Sequence, residues 1–332
     1  MSLFKACEIR ATLIQGCFGA NVAGSGSPRA RSVIMLTSAS RRRTRLEVPS
    51  DSSDLKPRSI TVYSWPKVYK PLVSCEKKHL LLKPSHINRT NNMTKSQTEE
   101  YGWTAVPRNR SNVPSEAEAK TSPLTIDFQS IWPQSEIVKT AQDHVKKILP
   151  KQTYNHSLRV YCFGHAIVTQ HFPQWVEGSV KDAFFETWAL TCLYHDIATT
   201  EEHRNDTHMS FEWHGGFQAL QELQSFGAPK AQAESVCESI IRHQDPGETG
   251  TISRMGQLVQ MATEFDNMGF QPYLVHEDVI KQVTEQHPRM KWSGCFSSTI
   301  KAEIGEKPWC HSTALPNFAE DVANNKVMEP YD

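Results

Sequence analysis

The sequence predicts an all-α protein, and three observations carry that prediction. Between residues 135 and 286, apolar residues recur at three- and four-residue steps, which is the helical period. Pro150 and Pro229 stand between such runs and Gly227 closes one, as helix stop and start signals do. The alternation of apolar and polar residues that marks a strand is almost absent from the same region.

The elements follow in order. Residues 135–149 (SEIVKTAQDHVKKIL) place Ile137, Ala141, Val145 and Ile148 on one face, and Pro150 stops the run. Thr153 is expected to cap a second helix, YNHSLRVYCFGHAIVTQHF, whose stripe is His156, Val160, Phe163 and Ile167. A third helix covers residues 183–194 and ends in the pair His195-Asp196. A fourth spans residues 208–226, with Gly227 as its C-cap. Pro229 opens a fifth, PKAQAESVCESIIRH, in which Val236, Ile240 and His243 align. In a sixth, residues 253–267, Leu258, Ala262 and Phe265 put Asp266 beside the apolar face. Residues 276–286 and 296–304 complete the series.

The first hundred residues differ in kind. They are rich in Ser, Arg, Pro and Thr, poor in acids, and contain Arg41-Arg42-Arg43-Thr44-Arg45. Such a segment buries too little apolar surface to offset its ordering entropy, so residues 1–100 are expected to be a disordered extension. An acid-poor, Arg- and Ser-rich start suits a mitochondrial transit peptide, a nuclear signal or a nucleic-acid contact, or it is a gene-model artefact. Residues 101–332 are left as one ordered domain.

Composition excludes some functions. A formal net charge of zero gives no overall field toward nucleic acid or anionic lipid. No apolar run approaches the ~18–20 residues of a membrane span. The eight cysteines form no C-x-x-C pair. They fit a reducing, cytoplasmic setting, with nuclear or mitochondrial alternatives from the basic tail. A homodimer through an exposed helix face is also an expectation.

His156, His195, Asp196 and Asp266 lie in, or at the end of, separate helical runs that share a core. Adjacent residues on a helix point about 100° apart, but a helix terminus lets His195 and Asp196 reach one point. Buried charges without partners are costly, and a divalent metal would satisfy this mixed N/O set. His243 aims inward at another helix end. Its expected role is to donate a proton or orient a water.

The four residues resemble the ligand pattern of the HD-domain superfamily of all-α metal-dependent hydrolases. NHSLRVYCFG, LYHDIATT, HMSFEWHGG, IIRHQDPGETGTIS and LVQMATEFDNMG, preceded by GWTAVPRNR, resemble the fungal cyanamide hydratase family from about Tyr101 onward. The resemblance implies an HD-domain helical bundle and one Zn²⁺ on His156, His195, Asp196 and Asp266. Fe²⁺ and Mn²⁺ also suit those ligand types. It implies hydration of cyanamide, or a related small neutral nitrile, to urea. An open zinc position lowers the pKa of bound water to about 7 and so supplies a nucleophile for the nitrile carbon.

In that picture Asp196 combines ligation with accepting the water's proton, and Asn155, Thr199 and Asn267 adjoin the ligands. His214 stands where the family pattern leads one to expect an aromatic such as Tyr. It is either a tolerated swap or an extra imidazole that, with His243, admits a second metal. Arg159 is either an internal ion-pair partner or the phosphate contact of a phosphohydrolase. Two alternatives therefore stay open: an HD phosphohydrolase acting on a nucleotide or phosphomonoester, and a non-catalytic HD binding module.

Overall fold

The computed structural model describes residues 95–245 and 247–332, together with three short strands nearer the N-terminus. Those strands are β1 (Val33–Met35), β2 (Arg45–Glu47) and β3 (Ser59–Tyr63), in the order β1-β3-β2. β1 runs parallel and β2 antiparallel to β3, within a unit covering Met1–Ile87. Runs this short carry no readable period, which is why the sequence did not announce them. The remainder of the expected disordered extension, including Arg41, Arg42 and Arg43, lies outside the described residues.

The second unit, Asn88–Asp332, is helical. Its elements are α1 (Lys95–Glu100), β4 (Ala105–Pro107), α2 (Phe128–Ile131), α3 (Glu136–Ile148), α4 (Lys151–His171), α5 (Lys181–Tyr194), α6 (Glu201–Asn205) and α7 (Phe211–Ser225). They continue with α8 (Lys230–Arg242), β5 (Thr251–Ser253), α9 (Arg254–Met268), α10 (Glu277–Gln286), α11 (Trp292–Glu306) and α12 (Phe318–Ala323). Every helix read from periodicity is present, with ends shifted by a few residues.

α3 shows the local logic. The Ser135 side chain accepts from Val138 N, and Val138, Ala141 and Val145 face the core while Lys146 and Lys147 end the helix. Thr153 does not cap α4. Pro150 holds that position, and Thr153 is buried inside the first turn. A proline has no N–H to leave unsatisfied, so it starts a helix as readily as it ends one.

α4 is buried on nearly every side, from Thr153 to Val168 with only His165 partly exposed. A helix apolar all round belongs in the centre, and α5, α9, α10 and α11 pack against it. Gly164 permits the approach of α5, because a Cβ there would stand 2.2 Å from Trp188 Cζ2. Gly216 in α7 does the same for Ile241, which its Cβ would meet at 2.7 Å.

β4 pairs antiparallel with β5, Val106 opposite Ile252. Arg254 N and Met255 N extend the ladder to Thr104 O and Gly102 O. This pairing pins the GWTAVPRNR segment against the start of α9. A smaller apolar cluster, Trp292, Phe296 and Ile300 of α11 with Phe318 and Val322 of α12, packs those two helices together. Among the described residues, no helix is long and apolar enough to cross a membrane.

Candidate metal centre and its cavity

α5 ends where the chemistry begins. His195 N still donates to Thr191 O at 3.0 Å, whereas Asp196 leaves the helix with φ −108° and ψ 13°. The Thr199 hydroxyl donates to Asp196 O at 2.7 Å and fixes the turn. The helix end thus lets two neighbouring side chains converge. His195 Nε2 lies 3.3 Å from Asp196 Oδ2.

His156, from α4, completes a buried trio. Its Nε2 lies 3.0 Å from His195 Nε2 and 3.6 Å from Asp196 Oδ2. His243, just past α8, brings its Nε2 to 4.0 Å from Asp196 Oδ1. The opposite nitrogen of each ring is committed. His195 Nδ1 meets Cys192 O at 2.8 Å, His243 Nδ1 meets Ile240 O at 2.6 Å, and His156 Nδ1 meets Asp266 Oδ2 at 2.6 Å. A carbonyl only accepts, and an ionised carboxylate only accepts, so all three Nδ1 atoms carry the proton. Three Nε2 atoms therefore face one carboxylate, and only a charged His195 would place a proton among them. Metal-bound histidines are held in this way, with the far N–H donated to a carbonyl or carboxylate.

The electrostatics agree. Burial pushes His156 down to about 4, against the opposing pull of Asp266, and pushes His243 down to about 4 as well. Asp196 is buried, which alone would raise its pKa, yet His195 and its neighbours hold it at about 2. Burial likewise works against a charged His195, but Asp196 outweighs burial and raises it. The pocket is short of positive charge. Both Asp196 oxygens and His243 Nε2 are buried without a hydrogen-bond partner.

Asp266 stands elsewhere than the four-ligand expectation puts it. It sits behind the His156 ring, on the Nδ1 side, and two buried arginines hold it there. Arg159 Nη2 reaches Oδ2 at 2.9 Å and Arg289 Nη1 reaches Oδ1 at 2.8 Å. Those guanidinium groups keep its carboxyl far below the usual range despite burial. Its carboxylate orients His156, with its own backbone oxygen bound by Arg289 and Asn325.

The other expected residues divide. Thr199 braces the His195-Asp196 turn. Asn267 is buried on the cavity wall and accepts from Trp292 Nε1 at 2.8 Å. Asn155 donates to Pro288 O and so supports a loop. Arg159 is the internal ion-pair partner, its remaining donors going to the His287 and Pro288 carbonyls. His214 keeps company with His203, Asp206 and Lys307 rather than with the cluster. Sequence reasoning missed Arg289, and it missed Trp292, whose ring stacks on His156 at 4.3 Å and 15°. The two flank Met290 and Lys291, whose φ angles are positive, a stretch with no periodic signal.

A cavity of about 470 Å³ opens beside this centre and ends on His243. Thr263, Asn267 and Gln260 of α9 form one wall, and Phe270, Leu315 and Phe318 another. Arg108 and Arg110, from the segment after β4, line it too. Arg108 pairs with Asp245 at 3.1 Å, and Arg110 binds both oxygens of Glu264 at 2.6 and 2.7 Å.

Two curated relatives, the cyanamide hydratases DDI2 and DDI3 of Saccharomyces cerevisiae, are each 37% identical to the chain over 195 residues. The match covers 58% of the chain and 84% of each relative. The chain belongs to the cyanamide hydratase family. No protein-family model matches it. Cyanamide hydratases are enzymes, and membership gives the helical bundle and its buried His-His-Asp cluster an enzymatic context.

Proposed function

We propose that the chain hydrates cyanamide to urea at a divalent metal ion held by His156 Nε2, His195 Nε2 and a carboxylate oxygen of Asp196. One observation carries this reading: three buried Nε2 atoms converge on one carboxylate, with each Nδ1–H turned away to a fixed acceptor. Imidazole and carboxylate donors suit Zn²⁺ first and accept Fe²⁺ or Mn²⁺. This reading departs from the four-ligand HD-domain pattern at one residue, Asp266, which here supports a ligand from the Nδ1 side of His156. When bound, the ion supplies Lewis acidity and lowers the pKa of water toward 7.

The chain's own groups do the rest. His243 Nε2 accepts a proton from the attacking water, because its Nδ1–H is fixed on Ile240 O. Burial makes the resulting imidazolium a ready donor, so it passes that proton to the nitrile nitrogen as charge develops there. Asp196 holds the water's second proton in register, and Trp292 excludes bulk solvent from His156. The cavity cations favour a neutral substrate over a phosphoester. Arg108 and Arg110 are engaged by Asp245 and Glu264, and Arg159 by Asp266.

The test is urea release from cyanamide by the purified protein, with metal content measured in parallel and Asp196→Ala as control. Near-stoichiometric metal and Asp196-dependent urea support the proposal. Full turnover after the metal is stripped would sink it. Bound metal with phosphoester but no cyanamide turnover would move the assignment to a phosphohydrolase.

A further inference from the structure

The cavity beside His243 is far larger than cyanamide. Cyanamide has three heavy atoms, a volume on the order of two waters at ~30 Å³ each. The cavity is about 470 Å³, within the range of roughly 300–1,000 Å³ of sites for much larger ligands.

Its lining is graded. The inner end is buried and polar: His243 and Thr263 are 2% and 3% exposed. Gln244, next in sequence to His243, also lines the cavity, and its Oε1 is buried without a hydrogen-bond partner. The outer end is apolar and open, with Phe270 54% exposed beside half-buried Leu315. Arg108 and Arg110 on the rim are matched by Asp245 and Glu264, and Glu248 and Asp321 line the cavity as well, so the rim disfavours an anion while its apolar side chains favour an apolar group.

Resting on the hydratase reading above, we propose that the preferred substrates are N-substituted cyanamides, R–NH–C≡N, in which R is an apolar group the size of a benzyl ring. The nitrile would lie toward His243, the N–H would donate to Gln244 Oε1, and R would lie against Phe270 and Leu315. The reaction balances as R–NH–C≡N plus water giving R–NH–CO–NH₂. The water oxygen bonds to the nitrile carbon, the two nitrile π bonds are lost, and both water protons end on the former nitrile nitrogen. An apolar R also gains from burial, at roughly 25 cal/mol per Å² removed from water.

The experiment compares kcat/KM for cyanamide and benzylcyanamide on the full-length, metal-loaded chain, with urea and N-benzylurea quantified by mass spectrometry. Calorimetric binding of N-benzylurea and urea provides a readout besides turnover. The expected result is a kcat/KM for benzylcyanamide at least tenfold above that for cyanamide, and tighter binding of N-benzylurea. Leu315→Trp, which fills the outer end, should lower that ratio about tenfold. Cyanamide turnover with equal or slower benzylcyanamide turnover overturns the inference and leaves the hydratase reading intact. Turnover of neither overturns both. The wild-type comparison decides the matter even if the variant fails to fold.

Discussion

His156, His195 and His243 each spend Nδ1–H on a fixed acceptor and leave Nε2 for the site, so their roles separate by what Nε2 faces. His243 sits at the cavity end and handles protons. His243→Asn is expected to retain the metal while kcat falls about 10²–10⁴-fold, the usual scale of acid–base catalysis. Metal analysis with steady-state kinetics checks this, and loss of the metal would instead make His243 a ligand. Asp266 acts through others. Asp266→Asn leaves Arg159 and Arg289 buried beside a neutral amide, which costs about 3–5 kcal/mol by the scale of broken buried ion pairs. It should also weaken metal affinity about 10–100-fold, since His156 loses its orienting carboxylate. Urea denaturation and a competitive chelator titration read the two effects separately.

The contact between α4 and α5 sets how close His156 comes to His195, because one histidine rides on each helix region. Gly164 faces Trp188 of α5 at this contact. Gly164→Ala would put a methyl group 2.2 Å from Trp188 Cζ2, and Trp188 is fully buried with its Nε1 on Tyr161 O. The ring has little freedom to yield, so the helices must part. The expected cost is about 1–3 kcal/mol, as for other overpacked cores. Metal affinity should fall with it, although no ligand is changed. Thermal denaturation and metal titration of the variant test this, and unchanged affinity would show that the histidines adjust independently of helix spacing.

For the whole molecule, acid sensitivity follows from histidines held neutral. His165 stacks on Phe185, and His287 packs edge-on to Phe128. Burial pushes both down to about 4. A group whose folded pKa is lowered adds stability that is complete above its unfolded value near 6.5 and is lost as pH falls toward 4. Stability should therefore decline across that window, and His165→Gln should remove about one proton from the slope. Denaturant midpoints at several pH values, measured on metal-free protein, provide the check. The metal is itself a stabiliser: chelation should lower Tm, and added ion should restore it by mass action.

The helices were legible because periodicity, prolines and a few caps are local signals, and the His195-Asp196 pair stood out because such residues at the end of an apolar run demand a partner. Sequence by itself therefore determined the all-α class and the family, and it singled out His156, His195, Asp196 and Asp266 as a candidate ligand set. Only the tertiary structure decided what surrounds them. Arg289 and Trp292 come from a loop and helix start more than a hundred residues from His156, so no spacing rule connects them. The placement of Asp266 behind His156 required knowing that two arginines compete for its carboxylate. His214 lies with His203 rather than at the centre because α7 turns that face toward α6. Ligand types are a property of the chain, whereas which atom faces which lone pair is a property of packing.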